Sequence, residues 1–169
     1  MAGNKFLTNN AGQITEIAGQ QTSTGASAGQ IVALNSSAQI DVTLLPTGIG
    51  ADTATVVASE ALSAGAFVNI WNNAGTPNVR NADNTAASAG KKAHGFVLTA
   101  FSSAATATVY FNGNNNAVTG QTAGDVFLGT AGAATATAPT TSGYTVQKLG
   151  AATSATNINF TLNQPIVLA

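Results

Sequence analysis

One histidine, six carboxylates and no cysteine are the whole stock from which this chain could build a catalytic or metal centre. Catalysis needs clustered groups whose pKa values can be set against one another. The carboxylates are Glu16, Asp41, Asp52, Glu60, Asp83 and Asp125, and no two lie within five residues of each other. His94 sits beside Lys91, Lys92 and Gly95; the Gly-x-Ser-x-Gly string Gly25-Ala26-Ser27-Ala28-Gly29 lies in Ser/Ala/Gly/Thr-rich sequence, without the apolar strand ahead of it and the helical pattern after it that a nucleophile elbow needs. The histidine reads as an exposed or hydrogen-bonded loop residue. No Asp-rich loop resembles a calcium site, and no second His could help hold zinc. Gly90-Lys91-Lys92 lacks both the upstream glycine spacing and the hydroxyl of a phosphate loop. The expectation is a protein without enzyme activity, without catalytic, cofactor-binding or metal-binding residues, and without a cofactor. Phe67 and Trp71 share a strand face with Asn69 between them. That is a sugar-binding platform or a pair of core aromatics, and the core reading is preferred. The Asn114-Asn115-Asn116 stretch reads as an exposed loop tip.

The elements that would position such residues are poor in charge. Only 7% of the 169 residues are charged and the formal net charge is −1, against about 25% charged in ordinary domains. No basic stripe is available to neutralise phosphates, so nucleic acid is not an expected partner. No run approaches the roughly 20 apolar residues that span a bilayer, so a membrane is not expected either. The start, Met1-Ala2-Gly3-Asn4-Lys5-Phe6, lacks a signal-peptide apolar region and a myristoylation glycine, which predicts synthesis in a cytoplasm. Alanine supplies 34 of the apolar residues, and the larger ones are few. A thin core with an uncharged Thr/Asn/Ser/Gly surface suits permanent association better than a solitary monomer.

Helical periodicity is weak throughout, whereas short strand-like runs recur: Phe67-Val68-Asn69-Ile70-Trp71, Gly95-Phe96-Val97-Leu98 and residues 106–111, then 125–128, 144–149, 157–162 and 165–168. Turn clusters at 72–75, 112–116 and 140–143 separate them. This predicts an all-β fold, a small β-barrel or sandwich over residues 51–169. Residues 63–68 resemble 122–127, residues 92–95 resemble 147–150, and Phe111 matches Phe160. Either two related β-hairpin units are present, or low-complexity sequence aligns with itself by chance.

Residues 1–50 differ in kind. Three short copies, at Ala11-Gly12-Gln13-Ile14, Ala28-Gly29-Gln30-Ile31 and Ser37-Ala38-Gln39-Ile40, each put a turn-like pair ahead of brief apolar runs. Such copies cannot bury their apolar faces alone and need neighbours. An extended N-terminal arm is expected, ending at a Pro/Gly hinge at residues 45–50. Its association surface would comprise Ile14, Ile17, Ile31, Val32, Leu34, Ile40, Val42, Leu44 and Leu45.

Residues 29–46, with Ile31-Val32-Ala33-Leu34-Asn35-Ser36-Ser37-Ala38-Gln39-Ile40-Asp41 followed by Leu45-Pro46, resemble a motif of phage structural fibres, IVxLNxxGxIDxxxLP. Ala38 stands where that pattern has Gly. Residues 58–169 are similar to the small β-barrel of decoration proteins. Together these stretches resemble the head-decoration (capsid cement) and head-fibre proteins of tailed bacteriophages. The resemblance implies a homotrimer on the outer surface of a virion head, with itself and the major capsid protein as partners. The first fifty residues would then carry trimerisation and capsid attachment. The alternative is a receptor-binding or adhesion module of a tail fibre or tail tip.

Overall fold

The computed structural model describes residues 5–22, 30–45, 49–85 and 90–169. Residues 28–29 of the second copy, 46–48 of the expected hinge, and the Val42 side chain lie outside the described residues. The chain divides into two compact units, Met1–Gly50 and Ala51–Ala169.

In the first unit, β1 (Lys5–Asn10) and β2 (Gln13–Ala18) form an antiparallel hairpin. Its turn is set by Asn9, whose Oδ1 accepts the Gly12 N–H at 2.8 Å. Gln20 bridges Val32 in parallel. The Asn35-to-Asp41 stretch is a set of side-chain-capped turns. Asn35 Oδ1 accepts from the N–H groups of Ser37 (2.9 Å) and Gln39 (3.0 Å), and Ala38 adopts φ 59°. The turn that the motif builds with Gly therefore closes with Ala in the left-handed region, where an L side chain is strained. Asp41 then caps a 3-10 helix at Val42–Leu44 by accepting from the Thr43 N–H and hydroxyl.

The second unit is all-β and contains a closed five-stranded barrel. Its strands are β3 (Thr53–Ala58), β4 (Phe67–Asn73), β5 (Thr76–Asn81), β6 (Gly95–Phe96) and β7 (Thr106–Tyr110). The order is β3-β5-β4-β6-β7; β3 pairs with β5 in parallel and with β7 antiparallel, which closes the ring. Alternation decides what fills it. Thr53, Thr55, Thr106 and Thr108 face outward, while Ala58, Val68, Val79, Ala107 and Val109 are buried together with Leu62 and Val97.

An open sheet follows, made of β8 (Gly113–Asn115), β9 (Gly124–Leu128), β10 (Ala134–Thr135), β12 (Lys148–Ser154) and β13 (Asn157–Phe160), in the order β10-β9-β12-β13-β8. A ribbon of β11 (Thr145–Val146) and β14 (Ile166–Val167) completes the unit. The open sheet repeats the barrel's connectivity: β5-β4-β6-β7-β3 reads on as β10-β9-β12-β13-β8. Even the close approaches coincide. A Cβ on Gly95 would strike the Tyr110 carbonyl, and one on Gly150 would strike the Asn159 carbonyl, each at the same place in its ladder. A side chain at either position would push the paired strands apart.

A second core lies where the outward faces of β4 and β6 meet this sheet. Phe67, Phe96 and Phe160 are fully buried there with Leu128, Leu149 and Ile158. Phe160 stands 5.5 Å from Phe67 and 5.7 Å from Phe96, and Tyr110 stacks on Phe96 at 5.5 Å. Asn115 does not occupy an exposed tip. It lies in β8, wholly buried, donating through Nδ2 to the Gly65 carbonyl at 2.8 Å. The Asn-rich run is a polar edge strand whose one buried amide is satisfied, and run composition alone resembles a loop.

Candidate functional site

The groups capable of acid–base chemistry are scattered in the fold as they are in the sequence. Among the described residues, no three of His, Asp and Glu come close enough to hold one ion. His94 is half-buried between β5 and β6, and its Nδ1 accepts the Ile70 N–H at 3.0 Å, which leaves the ring proton on Nε2. Burial, helped by the Lys92 charge, holds its pKa below the ordinary value of 6.5. Asp41 is held below the usual carboxylate range by the Thr43 hydroxyl and N–H. For Asp83, burial pushes upward, but hydrogen bonds from Thr85 and Ala131 and the Lys91 charge outweigh it and lower the pKa. Asp41 and Asp83 thus serve local structure.

The apolar residues of the first unit present a different surface. Ile14 is 68% exposed, and Ile17, Ile31, Val32, Leu34 and Ile40 are exposed as well; Leu44 and Leu45 are half-buried. Ladder register sorts the hairpin into two faces. Leu7 and Ile14 lie on one, and Phe6 pairs with Ile17 on the other. Leu7, at 72% exposure, and Ile49, at 59%, belong to this exposed set and were not singled out from sequence. Leu7 lies between Phe6 and Thr8, and only the hairpin register shows that it shares a face with Ile14. An isolated two-stranded hairpin is marginal in water. This one exposes Leu7 and Ile14 on one face and Ile17 on the other.

The second unit buries its apolar residues far better. Its exceptions are Val57 on β3 and Leu162, Ile166 and Val167 near β14. Phe67 is core. Trp71 is half-buried at the outer end of β4, under the Arg80 guanidinium, whose carbon is 4.5 Å from the ring centroid. No helix among the described residues is long and apolar enough to cross a membrane. Comparison of the chain with protein-family models, curated proteins and solved structures returned no match.

Proposed function

We propose that the chain is a structural protein of a tailed-phage virion, without enzyme activity. In this reading it binds the outer surface of the head as a homotrimer and stabilises or decorates the shell. The observation that carries the reading is the contrast between the two units. The second unit hides its large side chains in two cores, whereas the first holds out Leu7, Ile14, Ile31, Leu34 and Ile40 to solvent. Each such side chain gains about 1.5–3 kcal/mol on full burial, before ordering costs. Three copies meeting on one axis, or lying against capsid subunits, provide that burial. Main-chain groups at the outer edges of β1 and β2 are available to extend a neighbouring sheet, and three linked arms raise the effective concentration of each contact. The 29–46 motif supports the same reading: its Asn35 and Asp41 are spent on capped turns that stiffen an exposed apolar segment.

The test adds purified full-length chain to undecorated heads and measures co-sedimentation. Saturable binding that a doubly substituted Ile31→Asn/Leu34→Asn chain loses is expected. Binding unaffected by those substitutions would remove the first unit from the role, and no binding by either chain would refute the capsid reading. In the alternative, a tail-tip adhesion module, the same surface would join a tail component, and heads alone would bind nothing.

A further inference from the structure

Arg80 is the chain's single arginine and Trp71 its single tryptophan, and the fold stacks one on the other. The cross-strand register pairs Asn69 with Arg80 and Trp71 with Asn78, so all four share the outer face of the β4–β5 hairpin. Asn69, only 1% exposed, organises the spot. Its Oδ1 accepts the Arg80 Nε–H at 3.0 Å. Its Nδ2 donates to the carbonyls of Gly90 (3.2 Å) and Lys92 (2.9 Å). The guanidinium is therefore fixed at its Nε edge by a buried amide and on its flat face by the indole. Its Nη1 and Nη2 edge is left without a protein partner among the described residues. Among the described residues no carboxylate pairs with it; the ion pairs found there are Lys5–Glu16 and Lys148–Asp125. Lys92, whose carbonyl is held by the same amide, likewise has no carboxylate partner among the described residues.

We propose that Arg80, stacked on Trp71 and pinned by Asn69, binds the carboxylate of an acidic sugar residue, of the uronic or sialic acid class. A planar fork with two parallel N–H groups matches a carboxylate bidentately. Fixing the fork beforehand removes the ordering cost that makes exposed ion pairs weak. The indole edge offers apolar surface to sugar C–H groups, and its Nε1–H is turned toward Ser59 Oγ at 3.4 Å, which itself donates to the Val79 carbonyl at 3.2 Å. The partner is a saccharide and not an acidic protein because, Lys92 apart, the groups named around the fork are uncharged. With a net charge of −1, the chain has no long-range field to draw in a polyanion. It offers one preorganised fork, beside Lys92 and short neutral side chains, which matches a carboxylate on a hydroxyl-rich scaffold. The site stands on the second unit alone and does not depend on the capsid role.

The unique tryptophan and unique arginine allow the full-length chain to report binding directly. Tryptophan fluorescence would be titrated with a tetrasaccharide of alternating glucuronate and N-acetylglucosamine, with its carboxyl-reduced counterpart, and with tetraglutamate. The expected result is a saturable change with the acidic sugar, at least tenfold weaker with the reduced sugar and with tetraglutamate. Arg80→Lys, which keeps the charge and loses the fork, should weaken binding at least tenfold. In the unsubstituted chain, the ¹⁵N signals of the one guanidinium should shift on saturation, which needs no variant to fold. An absent fluorescence change, an unmoved guanidinium signal, or equal affinity for the reduced sugar overturns the proposal. Equal or tighter binding of tetraglutamate assigns the fork to a protein carboxylate and overturns the saccharide.

Discussion

Ala74 and Gly75 turn the β4–β5 hairpin with φ values of 50° and 93°, the doubly left-handed form that two-residue hairpins prefer. Asn72 Oδ1 supports the turn by accepting the Gly75 N–H at 2.7 Å. Alanine is strained there, whereas Asn tolerates the left-handed region. Ala74→Asn should therefore raise stability by about 0.5–1 kcal/mol, read from the urea unfolding midpoint at unchanged slope. A loss of stability would mean that the turn does not hold this form. His94 sets a second expectation. Its folded pKa is depressed, so the unfolded chain binds the proton more readily. Above its ordinary value of 6.5 the ring is neutral in both states and has no effect; as pH falls below 6.5, stability is lost. It is the only histidine, so His94→Gln should flatten the thermal midpoint between pH 7.5 and 5, where the parent chain declines. Asp83, also depressed, acts in a lower window: its contribution is present above 3.8 and lost as pH falls below it. A parent chain with a flat profile from pH 7.5 to 5 would contradict the burial of His94.

Between elements, Gln147 joins the barrel to the rest of the second unit. It is 1% exposed, accepts the Ala93 N–H at 2.7 Å, and donates to the carbonyls of Ala93 (2.9 Å) and Asn163 (3.0 Å). Gln147→Leu keeps the volume and strands three backbone groups. Each stranded group costs about 1–3 kcal/mol, so the loss should reach about 3 kcal/mol or more in urea unfolding. A change under about 1 kcal/mol would show that water replaces the amide. The all-β class was legible because Thr106-to-Phe111 alternates and Phe67-to-Trp71 is a short, mostly apolar run, both among Gly- and Asn-rich turns. β3 and β5 were missed for a physical reason. A narrow barrel needs only Ala and Val inward, so Thr53–Ala58 and Thr76–Asn81 offer too little apolar bulk to stand out. β8 was misread because its apolar neighbours lie on other strands and its own buried residue is Asn115. The Arg80–Trp71 stack depends on cross-strand register, which neither strand's sequence specifies alone. The exposed apolar residues of the first unit were legible as a surface in want of neighbours, except Leu7 and Ile49.

For the whole molecule, low charge, two buried cores in one unit and exposed apolar residues in the other are what the proposal of assembly rests on. Light scattering should give the full chain three times its monomer mass at micromolar concentration. Leu7→Asn/Ile14→Asn changes one exposed face of the hairpin, so it should shift the mass toward monomer and leave the barrel's unfolding midpoint unmoved. A monomeric parent chain would contradict the association surface. The capsid reading goes further than self-association, and its most direct measurement is the copy number of this chain in purified particles of the phage to which the proposal assigns it, by quantitative mass spectrometry against the major capsid protein. The account predicts hundreds of copies per particle, retained on heads separated from tails. A few copies that travel with the tails, or none on the particle, would contradict it.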